Sequence, residues 1–289
     1  MTATHLLLPS TSPSVRGGGQ LAAVRLAACL SERGHPVDIV TYQELCPGAA
    51  FLADMMIDPA YDRDLFVLLW GPHVPWSLTT LGTRRKLYWA HSTGYPFVVP
   101  PDVAVVGVSQ HSADYWAERG ANVLGVLPNV LDDEWFAAMP PSRDIDVLTF
   151  HRKSDERLRC VADECEAAGL KVERVKDWVP SVRELYDRSK VLLYDATDHW
   201  THAGVSEGFG LHIAEAFARG CVVHTTPLDA IAELLVPNRW THYGRGTISD
   251  DVAAVAQASR HWCLPSEQPM TRLSGDAVEQ AWLTLQDQL

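Results

Sequence analysis

The sequence predicts an α/β protein built from two doubly wound, Rossmann-like halves facing a cleft. Three observations carry this. Short apolar runs alternate with helix-period segments along most of the 289 residues, a pattern that argues parallel sheets. Some runs, such as Leu65-Phe66-Val67-Leu68-Leu69-Trp70, are apolar without a break, as strands buried on both faces are. A proline-rich polar stretch, Met139-Pro140-Pro141-Ser142-Arg143, reads as a linker, and the length is a soft prior for about two domains.

Residues 5–8 form the first short strand, and the N-terminal segment lacks the basic and long apolar regions of a signal peptide. A Ser/Pro/Gly loop then ends in Gly17-Gly18-Gly19. Leu21, Val24, Leu26, Ala27 and Leu30 mark one face of a helix that Gly34 stops. Residues 37–41 are the second strand, so the chain opens with a βαβ unit carrying glycines at its first crossover. Strands are expected at 64–70, 86–90 and 103–108. Ser109 is the expected cap of a helix that runs through Glu118 to Gly120. A strand at 123–127 precedes the linker at 137–143.

The second series begins with a strand at 145–150. Helix 155–168, strand 171–175, helix 181–188, strand 190–194, helix 210–219, strand 221–225 and helix 228–235 follow. Helices at roughly 249–262 and 274–288 close the chain. The expected organisation is a first domain over 1–136, a second over 144–265, and a C-terminal segment, 266–289, able to pack back on the first. In such sheets ligands sit beyond the carboxyl ends of the strands, which points to the cleft.

Composition narrows the function classes. The hydrophobic fraction of 47% and charged fraction of 21% suit a globular enzyme. A formal charge of −12 argues against nucleic acid as the main partner. Arg84-Arg85-Lys86 is a short basic island that reads as a solvated surface. No apolar run reaches the roughly 18 residues of a membrane span, so no integral membrane contact is expected. The six cysteines match no common zinc spacing. Together with the missing export signal they favour a reducing cytoplasm.

The densest chemistry lies at Ser206-Glu207-Gly208-Phe209-Gly210-Leu211, followed by Glu215 and Gly220-Cys221-Val222-Val223. A carboxylate at a glycine-bracketed turn stands eight positions before a second one in a helix. Eight helical residues rise roughly 12 Å, about the span from sugar to ribose in a sugar nucleotide. The helix start between the acids offers N–H groups and a dipole suited to a diphosphate. Glycines there permit close approach of the backbone. The alternative is an ordinary strand–turn–helix–strand unit with surface acids.

This segment resembles the EX7E element of retaining GT-B glycosyltransferases, in particular glycosyltransferase family 4. Other segments are similar in the same order. Val105-Val106-Gly107-Val108-Ser109, Gly120-Ala121 and Val126-Leu127-Pro128-Asn129-Val130-Leu131-Asp132 resemble the family's interdomain passage, with Val130-Leu131 where the family has a glycine. The resemblance implies a retaining transferase that moves a sugar from a nucleotide sugar to an acceptor hydroxyl without a metal. The nucleotide sugar is a co-substrate, no other cofactor is implied, and the acceptor is a small molecule or a glycan.

The resemblance also implies roles for individual residues. Glu207 would hold the sugar and Glu215 the ribose. Gly208, Phe209, Gly210 and Leu211 would cradle the diphosphate. After the strand at 145–150, Arg152 matches the family's first phosphate cation. Arg157 matches the second by spacing, and Lys153 is also within reach. Fixed cations there would stabilise the departing diphosphate; a solvated helix start is the other reading. Trp178 and Val179 are candidates for the base site, Trp178 being equally readable as packing. Gly18 and Gly19 resemble the family's glycine pair facing the donor or acceptor. His91, at the end of strand 86–90, resembles a histidine facing the transferred sugar, with a loop role as the alternative.

Two rival functions remain in the sequence. One is a sugar-nucleotide-binding subunit without catalysis; within enzymes, a GT-B epimerase or phosphorylase is also open. The other is a nicotinamide-linked oxidoreductase, because Gly17-x-Gly19-x-x-Ala22 with Asp38 formally matches a dinucleotide fingerprint. Against it, the glycines lie well beyond the first strand, and Asp38 lies inside the second strand rather than at its end.

Overall fold

The computed structural model describes residues 2–12, 17–69, 71–177, 179 and 181–289. Two compact units emerge: Met1–Asp132 with Leu273–Leu289, and Asp133–Arg272. Each contains one parallel sheet.

In the first unit the order is β1 (Thr4–Leu8), α1 (Gly18–Glu32), β2 (Val37–Thr41), β3 (Ala50–Phe51), α2 (Leu52–Met56), β4 (Leu65–Leu68), α3 (Val74–Leu81), β5 (Lys86–Ala90), β6 (Ala104–Gly107), α4 (Gln110–Glu118) and β7 (Asn122–Val126). The sheet runs β3-β2-β1-β4-β5-β6-β7. Residues 6–8 of β1, β4 and the inner part of β5 are buried on both faces, which explains their unbroken apolar sequences. Leu7, Val40, Phe66, Leu68, Tyr88 and Trp116 lie in its core. Ser109 caps α4 by accepting from the Ser112 N–H at 3.2 Å. Gly107 lets β6 turn tightly into that helix: a Cβ there would meet the Ala113 backbone nitrogen at 2.5 Å.

The second unit contains β8 (Ile145–Phe150), α5 (Glu156–Ala167), β9 (Val172–Val175), α6 (Val182–Arg188), β10 (Ser189–Leu193), α7 (Thr197–Ala203), α8 (Leu211–Ala218), β11 (Val222–Thr225), α9 (Ile231–Leu234), β12 (Trp240–His242) and α10 (Ile248–Arg260). Its sheet order is β12-β11-β10-β8-β9, with Val147, Leu158, Val161, Val191, Leu193 and Val255 in the core. The last helix, α11 (Gly275–Gln286), belongs to the first unit. Arg33 reaches Asp276 at 2.8 Å and His35 reaches Glu279 at 2.8 Å.

The expected α/β class and alternation are present. The structure adds β3, α2, α3, α7 and β12 to the expected elements, and α9 is shorter than expected. Its N-terminal side is occupied by a turn in which Asp229 has φ 51°, a left-handed conformation that no helix contains.

Each sheet reverses its winding at one point: between β1 and β4 in the first unit, and between β8 and β10 in the second. Ligand sites of such sheets form beyond the carboxyl ends of the strands at this reversal. In the second unit, β8 ends into His151-Arg152-Lys153 and β10 into Tyr194-Asp195. No described helix is long and apolar enough to cross a membrane.

Candidate functional site

The reversal point of the second unit gathers several of the charged residues that the sequence singles out, Glu207 and Lys153 among them. Glu207 lies in the turn ahead of α8. Its Oε1 accepts from the Gly210 N–H at 3.1 Å, and its Oε2 accepts from the indole N–H of Trp200 at 2.8 Å. Gly210 is the residue before α8 and has φ 84°, where a glycine is strongly favoured. A Cβ on it would also press on Leu234 at 3.2 Å. The helix start therefore does lie between the two acids. Glu215 sits in the second turn of α8, 3% exposed, with His212 Nδ1 at 3.8 Å from its Oε2. His212 stacks on Phe150 at the end of β8 with ring centroids 4.6 Å apart. Its Nδ1 also lies 3.0 Å from the Tyr186 hydroxyl.

Lys153 comes to the same place from the other strand. Its ammonium lies 3.9 Å from the centroid of the Trp200 ring, within the range of a cation–π contact. Burial lowers its pKa, the Glu207 charge opposes that shift, and Arg152 adds to it. Lys153 has φ 73°. A side-chain-bearing residue in that conformation is strained and persists only where its surroundings hold it. Arg152 is exposed, and its charge acts on both Lys153 and His199.

Trp200 is a residue the sequence reading did not select. It sits on α7, which Asp195 anchors: Asp195 Oδ1 accepts from the Thr197 N–H at 2.9 Å and Oδ2 from the Thr226 N–H at 3.3 Å. One carboxylate thus ties the start of α7 to the loop after β11. Between them lies a small solvent-open pocket lined by Thr197, Trp200, Thr201, Val205, Glu207, Leu228, Asp229 and Ile231.

Arg157 does not join this group. It donates to Asp251 Oδ2 at 2.5 Å and to the Gly246 carbonyl at 2.9 Å. Asp251 is 3% exposed at its side chain and also accepts from His224 Nε2 at 3.2 Å and the Gly244 N–H at 3.0 Å. Burial pushes the Asp251 pKa up, but these donors outweigh it, and the carboxyl is held below the usual range. Val179 lies half-buried in the loop after β9, outside any helix or strand. Trp178 falls outside the described residues.

The remaining candidates belong to the first unit. Gly18 and Gly19 form the first turn of α1. His91 follows β5 with its ring against Trp89, centroids 4.3 Å apart. Its Nε2 is buried without a hydrogen-bond partner among the described residues. Burial pushes its pKa down to about 3, so the imidazole is neutral at ordinary pH. Asp38, the acid needed by the dinucleotide reading, lies near the N-terminal end of β2 and accepts from His5 Nδ1 at 2.6 Å. That is the opposite end of the strand from a ribose contact. Among the described residues no group of three or more His, Cys, Asp or Glu side chains is arranged to hold a metal ion.

No protein-family model matches the sequence, and no curated protein matches it either. Solved structures do match over the whole chain. Sucrose-phosphate synthase from Thermosynechococcus elongatus superposes with a TM-score of 0.66 at 13% identity, covering 100% of this chain and 98% of that one. HepE of Anabaena, solved in complex with UDP-glucose, gives 0.62 at 14% identity with 100% of both chains covered. AviGT4, a glycosyltransferase of avilamycin A biosynthesis, gives 0.61 at 15% identity over 100% and 98%. The fold is that of the GT-B glycosyltransferases, two parallel-sheet α/β units in one chain.

Proposed function

We propose that the protein is a retaining glycosyltransferase of the family 4, EX7E type, which moves a sugar from a nucleotide sugar to an acceptor hydroxyl without a metal ion. The observation that carries the proposal is the meeting of Glu207, Lys153 and the start of α8 at the winding reversal of the second unit. Glu215 one turn further along the same helix adds a second acid. The similar folds solved with UDP-glucose, or with UDP and glucose, support a nucleotide-sugar donor and make UDP-glucose the first probe.

In this reading Glu215 accepts hydrogen bonds from the ribose hydroxyls, and the diphosphate lies against the amides of Phe209 and Leu211. The Gly210 amide serves Glu207 instead. Lys153, with Arg152 beside it, supplies the fixed positive charge that a departing diphosphate requires. Arg157 is assigned a structural role through Asp251. Glu207 holds hydroxyls of the transferred sugar and stabilises positive charge at the anomeric carbon. The leaving diphosphate assists deprotonation of the acceptor hydroxyl, which attacks from the face the phosphate leaves, so the anomeric configuration is retained. His91, neutral and with a ring nitrogen that has no hydrogen-bond partner among the described residues, is kept as a hydrogen-bonding candidate for a substrate hydroxyl.

A thermal-shift series with UDP, GDP, ADP and TDP tests donor binding, because a ligand specific for the native state raises its stability. One of them should raise the melting temperature, and the matching sugar nucleotide should be turned over with retention at the anomeric carbon. Binding of a nicotinamide cofactor in place of all four, or a product of inverted configuration, refutes the proposal.

A further inference from the structure

We infer that Trp200 is a positioning residue for this reaction: its indole N–H fixes the Glu207 carboxylate, and its ring face holds the Lys153 ammonium. The inference rests on the transferase reading above. Its geometry is independent of that reading.

The N–H of Trp200 holds Oε2 of Glu207 while the Gly210 N–H holds Oε1. A carboxylate gripped at both oxygens has its plane set, and each oxygen keeps a lone pair for a further donor. The ring face of the same indole carries Lys153 at 3.9 Å. Lys153 and Glu207 carry opposite charges and share this indole, and the Glu207 charge favours the protonated lysine. Without the indole they would close into a direct ion pair. Each would then neutralise the group that a sugar hydroxyl or a diphosphate needs. The indole prevents this by giving each its own contact, N–H to the acid and π-face to the cation.

The setting of α7 supports a site role over a packing role. The helix has no buried residue and no side-chain cap, and a helix of seven residues is not stable alone. It is held from below by Asp195. At its end Gly204 has φ 69° and the Val205 N–H returns to the Trp200 carbonyl, which directs the chain into Ser206 and Glu207. Trp200 is half-buried and lines the pocket with Thr197, Thr201, Glu207 and Asp229, and it is not a member of the second unit's core.

Two variants of the full chain separate the two contacts. Trp200→Phe keeps a ring face for Lys153 and loses the N–H to Glu207. Its kcat on UDP-glucose, or on the nucleotide sugar that the wild type turns over, should fall about tenfold or more, with affinity for the free nucleoside diphosphate within about twofold. Trp200→Ala loses both and lets Lys153 pair with Glu207, so nucleoside diphosphate affinity should also fall about tenfold. The indole N–H resonance of Trp200 should move in Glu207→Gln, a readout that needs no turnover. Wild-type kcat in Trp200→Phe, equal losses of nucleotide affinity in both variants, or an unmoved indole resonance in Glu207→Gln overturns the inference. Wild-type protein that binds no nucleoside diphosphate, with the indole resonance still moving, overturns the transferase reading and the role in transfer with it, while the Trp200–Glu207 contact stands.

Discussion

Arg157→Ala should destabilise the protein while leaving nucleotide binding nearly intact, and Lys153→Ala should do the reverse. Arg157 donates at 2.5 Å to a carboxylate that is 3% exposed. Removing one partner of a fully buried pair costs about 3–5 kcal/mol. Two features reduce this. Asp251 keeps His224 and the Gly244 N–H as donors, and the Arg157 side chain is 32% exposed, so solvent screens part of the interaction. About 1–3 kcal/mol remains. For a chain of this size that corresponds to a fall in Tm of about 2–5 °C, readable by scanning calorimetry. The sign with pH follows from Asp251, whose pKa is depressed in the folded protein. Its contribution is present above the carboxylate's ordinary value near pH 4 and disappears as pH falls through the folded value. The gap between wild type and Arg157→Ala should therefore close on acidification. Titration calorimetry with UDP, or with whichever nucleoside diphosphate the wild type binds, supplies the other half. Affinity within about threefold of wild type is expected for Arg157→Ala and a loss of about ten- to a hundredfold for Lys153→Ala, one charged contact being worth about 1.5–3 kcal/mol. Unchanged Tm with a large loss of nucleotide affinity in Arg157→Ala would refute the reasoning.

Glu215→Ala should weaken donor binding by about 1–3 kcal/mol, measured by titration calorimetry. Glu207→Ala should lower kcat more than donor affinity, measured by steady-state kinetics. Turnover should persist in EDTA at an undiminished rate, since the proposed mechanism gives fixed cations the work of a metal; loss in EDTA with recovery on adding a divalent ion contradicts this. His91 should show no imidazole titration by NMR between about pH 5 and 8, because burial holds its pKa near 3. Its depressed pKa means that its contribution to stability is complete above about pH 6.5 and declines as pH falls towards 3, by up to about 1.4 kcal/mol per pH unit. His91→Gln should flatten that part of the Tm–pH curve.

Much of the fold was readable along the chain because strands buried on both faces leave unbroken apolar runs and amphipathic helices leave a stripe. Residues 37–41, 86–90 and 145–150 are strands as expected, and Ser109 caps its helix as expected. The elements that went unread lack those signatures. α7 buries no side chain, so it carries no apolar period, and β3 and β12 are too short to show alternation. Strand order, and with it the reversal between β8 and β10, depends on pairings across the chain that local pattern does not encode.

The candidate site divides along the same line. Glu207, Gly210 and Glu215 are close in sequence and could be read as a unit. The destination of Arg157 could not, because Asp251 lies 94 positions away and spacing alone favours Arg157 over Lys153. Trp200 went unread because its partners, Glu207 and Lys153, lie on different elements. An indole seven residues ahead of a glycine-bracketed acid carries no signal until α7 folds back.

The most direct test of the account is a crystal structure of the protein with UDP, or with the nucleoside diphosphate that gives the largest thermal shift. The account places the ribose against Glu215, the diphosphate between the start of α8 and Lys153, and Arg157 still paired with Asp251. A nucleotide bound at any other place, or a diphosphate held by Arg157 with Lys153 turned away, contradicts it.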